Sequence, residues 1–321
     1  MAESAANESG RGRQSSGPSE IPAPGWRDIL LRTKQQIARD HVALVAAGLA
    51  FYTLLSIFPA IAAIVSVYGL VADSSEVQAH FLAVASLVPE QARALLADQM
   101  TRVAGGNTGT LSLAVLVSLV LALWGASRGT QAFMMAMNVA YNEREKRGIV
   151  KQNLIAIALT ICLLLFSTVA LVATVFVPAM VASLGIEGPR GWLLTLLRWP
   201  LLAFCFMVAL AVLYRLAPSR NDAKWRWVTP GSVIAVVLWL IASIAFSFYI
   251  GNFTNYNQTY GSLGAVIGVL MWFWVSAFVV ILGAEVNAEI ERQTRCDSTQ
   301  GDPKPLGARC AYVADTVGKK P

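Results

Sequence analysis

Arg128 lies between Gly125 and Gly129 inside the apolar run LSLAVLVSLVLALWGASRGTQAFMMAMNVAYNERE, Leu111 to Glu145. A guanidinium inside hydrocarbon is unfavourable by about 2.5–3.5 kcal/mol on insertion scales, so it requires a partner, water or the interface. Its planar fork of donors suits a phosphate or carboxylate better than any other side chain does. Glu285 closes a second apolar run, with Asn287 just beyond it, and Asn138 lies on the helix that carries Arg128. At ~1.5 Å per residue, Arg128 falls about 27 Å and Glu285 about 33 Å along their helices, both near the same interface. The expectation is one polar cluster of Arg128, Glu285, Asn138 and Asn287, in which an anionic head group competes with the glutamate for the arginine.

No residue set suggests catalysis. The two histidines are His41, at the start of the first apolar run, and His80, in the loop after it. They fall on opposite sides of a membrane and cannot share a metal, and HxHxDH, HExxH, P-loop and GxSxG motifs are missing. The chain is therefore read as a non-enzyme with no metal and no cofactor. Cys162 and Cys205 lie in apolar runs and Cys296 and Cys310 in the C-terminal tail, none at metal-ligand spacing, so all four are read as reduced thiols.

These groups must be carried by membrane helices. In 321 residues, 56% are hydrophobic and only 14% charged, with mean hydropathy +0.57, far from the roughly 25% charged residues of soluble domains. The net charge of +6 is dispersed over alternating loops, which argues for membrane orientation and against nucleic acid. The first 25 residues have no apolar core of a signal peptide and read as a disordered cytoplasmic tail.

Residues 26–41 form an interfacial amphipathic helix with Trp26, Ile29, Leu30, Thr33 and Ile37 on one face. A membrane domain over 42–292 follows, with spans at about 42–72, 110–137, 154–177, 193–214, 228–250 and 263–284. Pro59 should kink or hinge the first span. Two surface helices are expected over about 76–104, Pro178 should end the third span, and Thr229 and Pro230 should open the fifth. Arg198, between Trp192 and Trp199 in the fourth, reads as a snorkelling residue. Residues 293–321 read as a disordered tail. Gly125 with Gly129 and Gly264 with Gly268 have GxxxG spacing, which permits close helix packing.

Lys and Arg number twenty in the termini and even-numbered loops against three in the other loops. The positive-inside bias then gives six spans with both termini cytoplasmic.

AGLAFYTLLSIFPA, ALWGASRGTQAFMMAMNVAYNERE, YRLAPSR with WVTPGS, and YNQTYGSLGAVIGVLMWFWVSAFVVILGAEVNAE occur in that order across about Ala46 to Glu289. In these motifs the chain resembles the YihY/BrkB family of bacterial inner-membrane proteins. The resemblance implies a multi-pass protein of the inner membrane. It also brings conflicting labels: the old name ribonuclease BN, virulence or serum-resistance factor, and export of a lipid A precursor. Weighed against the residues, the expected function is export or flipping of an amphiphilic anionic envelope component, with anionic membrane lipids as partners. The alternative is a non-enzymatic scaffold that organises the envelope. Homo-oligomerisation is left open.

Overall fold

The computed structural model describes residues 10–71, 113–183, 189–252 and 262–320. The described residues are all-helical apart from one isolated antiparallel bridge between Ala223 and Thr299. After a 3-10 turn at Pro18–Glu20 come α1 (Ala23–Arg39), α2 (Val42–Val71), α3 (Leu113–Ala140), α4 (Ile149–Ser183), α5 (Pro189–Leu216), α6 (Trp225–Asn252), α7 (Ser262–Glu291) and the short α8 (Tyr312–Asp315). Each of α2 to α7 packs on its successor where both are described as neighbours, and α7 returns to α2 and also holds α1, so the long helices close a ring.

Apolar residues face outward along most of this ring: Leu44, Leu154, Leu165, Ile244 and Phe248 are all more than 60% exposed. Water would not tolerate such a surface, and lipid would. Among the described residues, four helical segments are long and apolar enough to cross a membrane: Ile149–Ala170, Trp199–Leu216, Trp225–Tyr249 and Val266–Glu291. The pair Ala23–Arg39 and Val42–Ile57, bent by 63°, makes a fifth candidate if it is one broken span. The surface helices expected over 76–104 and most of the uncharged loop before α7 lie outside the described residues.

Three local readings are corrected. Helix α4 runs past Pro178 to Ser183. Helix α6 starts at Trp225, so Pro230 lies inside it, and Thr229 does not cap: its Oγ1 donates back to the Trp225 carbonyl at 2.8 Å. The backbone disturbed by this proline is met from α7, where Asn287 Oδ1 accepts the Gly231 N–H at 2.7 Å and Nδ2 donates to the Val228 carbonyl at 2.9 Å. A neighbouring side chain supplies what the helix cannot.

The larger correction concerns the termini. Both tails, from residue 10 onward and through 320, are folded against one end of the ring. The Arg295 N–H donates to the Arg13 carbonyl, Gly318 N–H to Arg292, and Lys224 N–H to Ser298, at 2.8–2.9 Å. Side chains complete the seams: Gln293 Nε2 donates to the Arg11 carbonyl and Thr294 Oγ1 to that of Ser15, each at 2.7 Å, and Arg309 Nη1 to that of Ala314 at 2.6 Å. Val313 and Ala314 are buried beneath. Polar composition suggested disorder; here the polar groups satisfy one another's backbone, and few apolar residues are needed.

Candidate functional site

Arg128 stands on the exposed stripe of α3 with Leu121, Trp124 and Met135. Its guanidinium lies 4.2 Å from the centre of the Trp124 ring, and Nη1 donates to Gln131 Oε1 at 3.1 Å. Gln131 in turn donates to Asn153 of α4 at 2.7 Å. The structure does not bring Arg128 to Glu285. A cation on an outward face can lean on an aromatic ring and reach head groups, whereas Glu285 points inward. Gly125 and Gly129 do admit α2: a Cβ on Gly125 would stand 3.0 Å from the Pro59 ring, and one on Gly129 would strike Ser56. Pro59 thus sits inside α2 as a half-buried packing partner of α3. Gly264 and Gly268 both lie in the first turns of α7.

Glu285, Asn138 and Asn287 do share one end of the ring, but the asparagines serve the backbone there. Asn138 Oδ1 accepts the Ser219 N–H at 2.7 Å and Nδ2 donates to Glu145 at 3.0 Å. Around them is a dense polar cap that the composition did not reveal. Arg32 Nε and Arg292 Nη1 each bind Glu289 at 2.5 Å, and Arg32 Nη2 also donates to Gln293 Oε1 at 2.7 Å. The amphipathic helix α1 is therefore docked on the ring through a mixed face, with Ile29 buried beside Asp28, Arg32 and Gln36 and with Trp26 and Ile37 packed against the core, while Leu30 and Leu31 stay exposed. Arg220 Nη2 binds Glu291 at 2.7 Å with both side chains essentially inaccessible, and its guanidinium lies over Tyr141 at 4.9 Å. Burial opposes the charge of Arg220, yet Glu291 overrides it and raises its pKa. The signal for this cap was the run Glu285, Glu289, Glu291, Arg292, which follows a span with no loop between.

Beside the cap, a groove of about 560 Å³ opens between α4 and the end of α5. Lys146, Arg147, Lys151, Arg220 and Asp222 line its polar part and Ile155, Ala158, Leu159 and Leu216 its apolar wall. Arg147 caps α5: Nη2 donates to the Ala217 carbonyl at 2.8 Å while Nε holds Glu145 at 2.7 Å. Lys146 pairs with Glu143 at 2.7 Å yet keeps 57% of its side chain exposed. Lys151 is exposed, and no ion pair reaches it among the described residues. Sequence reading counted these lysines only toward orientation, because their convergence with α5 needs the tertiary fold.

Glu145 carries a measurable consequence. Its partial burial works against ionisation, but the Arg147 side chain, the Arg147 N–H and Asn138 all donate to it and bring its pKa from 4.5 to about 2. A folded-state pKa below the unfolded one adds stability above the unfolded value, lost as pH falls through the folded one. Glu145→Gln is expected to flatten the acid limb of the stability profile between pH 4.5 and about 2; an unchanged limb in thermal-unfolding measurements would refute this.

Among the described residues no group of three or more His, Cys, Asp or Glu could hold a metal, and all four cysteines are free. The family described as Virulence factor BrkB matches residues 33–306. The ribonuclease-like protein YfkH of Bacillus subtilis is 31% identical over 257 residues, 78% of this chain and 90% of YfkH. A UPF0761 membrane protein of Pseudoalteromonas translucida is 25% identical over 294 residues, 86% of this chain and 89% of its own length. One from Vibrio cholerae is 27% identical over 272 residues, 81% and 86%. No solved structure matches.

Proposed function

We propose, from the premise that this chain belongs to the virulence factor BrkB family and is an integral membrane protein, that it exports or flips an anionic amphiphile of the bacterial envelope. In this reading α2 to α7 all cross the inner membrane and both termini are cytoplasmic, as the positive-inside bias requires. The observation that carries the proposal is the groove between α4 and α5, where Lys146 and Lys151 sit above Ile155, Ala158 and Leu159. A phosphate or carboxylate head group meets the lysines while its chain lies along the apolar wall. Arg128, stacked on Trp124 at the lipid-facing stripe, supplies a second cation for approaching head groups. Nothing in this arrangement calls for nucleic acid, metal or cofactor.

The test is reconstitution into liposomes with an inner- and outer-leaflet fluorescent anionic phospholipid. Chemical quenching from outside should remove only the outer half without protein and a larger share with it. Lys146→Gln with Lys151→Gln should lower affinity for the anionic lipid by about 1–2 kcal/mol, on the order of tenfold. Protein-independent quenching, or lipid affinity unmoved by the double substitution, would sink the proposal.

A second reading, a membrane-organising scaffold, draws on the fact that three of the four groove cations are already held: Lys146 by Glu143, Arg147 by Glu145 and Arg220 by Glu291. A scaffold would retain anionic lipid, lose it with the lysines, and leave the leaflets unmixed.

A further inference from the structure

Glu285 is a buried acid that neither the groove nor the described ion pairs use. It is 0% exposed on α7, and neither carboxyl oxygen has a hydrogen-bond partner among the described residues. The groups facing it are Asp40, from the elbow between α1 and α2, Glu289 and Arg292, from its own helix, and Tyr141, just beyond α3. The cations that could neutralise it are committed to Glu289, which takes both Arg32 and Arg292. Arg39 stands beside Asp40 and is itself exposed. Asp40 is half-buried, accepts Gln36 Nε2 at 2.8 Å, and precedes His41, whose φ of 48° turns the chain into α2.

Two ionised carboxylates are acceptors only, so Glu285 and Asp40 have no donor to place between them unless one carries a proton. A buried carboxylate with no cation and no donor is among the least tolerable arrangements in a folded protein, and protonation is the ordinary escape. The half-exposed Asp40 gives that proton a route to solvent. We propose that Glu285 and Asp40 form a proton-binding carboxyl pair, and that the proton they share keeps the α1–α2 elbow seated on α7. When the proton leaves for water, two like charges face each other across the contact, and the elbow lifts from α7. The site rests on no assumption about what the groove carries.

The experiment uses the full-length protein in lipid nanodiscs. Infrared spectroscopy at neutral pH should show a protonated-carboxyl C=O band that disappears on alkaline titration. The band should be lost in Glu285→Gln and altered in Asp40→Asn. Protection from hydrogen exchange over residues 23–41, taken relative to the intrinsic rate at each pH, should fall at alkaline pH in the wild type and hold in Glu285→Gln, whose amide is a neutral stand-in for the acid. A spectrum without that band, or one that keeps it in Glu285→Gln, overturns the proposal. So does an alkaline loss of protection that is the same in wild type and Glu285→Gln. If Glu285→Gln fails to fold, the wild-type titration and the Asp40→Asn shift decide alone, and a band indifferent to Asp40→Asn overturns the pairing.

Discussion

Arg220→Ala is expected to destabilise the protein by about 3–5 kcal/mol, the usual penalty for leaving one member of a buried ion pair behind. Glu291 would be left at 0% side-chain exposure without its cation, with only the Ser298 hydroxyl, at 2.7 Å, to support it. The Tyr141 ring would lose the guanidinium that covers it at 4.9 Å. Because most of the loss comes from the stranded carboxylate and not from the missing attraction, Glu291→Gln added to Arg220→Ala should recover the larger part of it. Thermal unfolding of purified protein in detergent reads both. A double variant as unstable as the single one would show that Arg220 acts through packing alone.

Gly231→Val should prevent correct assembly of α6 on α7, a loss of about 3 kcal/mol or more when overpacking is added to the hydrogen bonds it displaces. Any Cβ at this position would fall against the Gly283 carbonyl and within 2.5 Å of the Asn287 side chain. It would also push away the Asn287 amide, which serves the Gly231 N–H and the Val228 carbonyl around Pro230. Neighbouring Gly283 has no room either, since its own Cβ would lie 2.5 Å from the Tyr214 hydroxyl, which donates to the Val280 carbonyl at 2.7 Å. Folded yield by size-exclusion chromatography measures the outcome, and a wild-type profile for Gly231→Val would refute this account of the crossing.

Gly231 also marks where sequence reading stopped. The GxxxG pairs drew attention because their spacing is regular, yet the tight α6–α7 crossing uses single glycines on different helices, a relation with no spacing to detect. Arg128 shows the same boundary. Its presence in an apolar run was plain, but which way it points depends on the rotation of α3 within the ring, fixed by Gly125 and Gly129 against α2. The tails failed as disordered segments because their stability comes from pairing residue 13 with 295 and 292 with 318, contacts that composition cannot register.

The sequence by itself determined that this is a multi-pass helical membrane protein of a particular family, because long uncharged runs, alternating basic loops and quoted motifs are local properties of the chain. Only the tertiary structure decided which polar groups meet. Helices of similar apolar character can turn any face inward, so the docking of α1 through Arg32, the isolation of Glu285 and the convergence of Lys146 and Lys151 with α5 follow from helix rotation and close packing. These are properties of neighbours in space, and neighbours in sequence do not carry them.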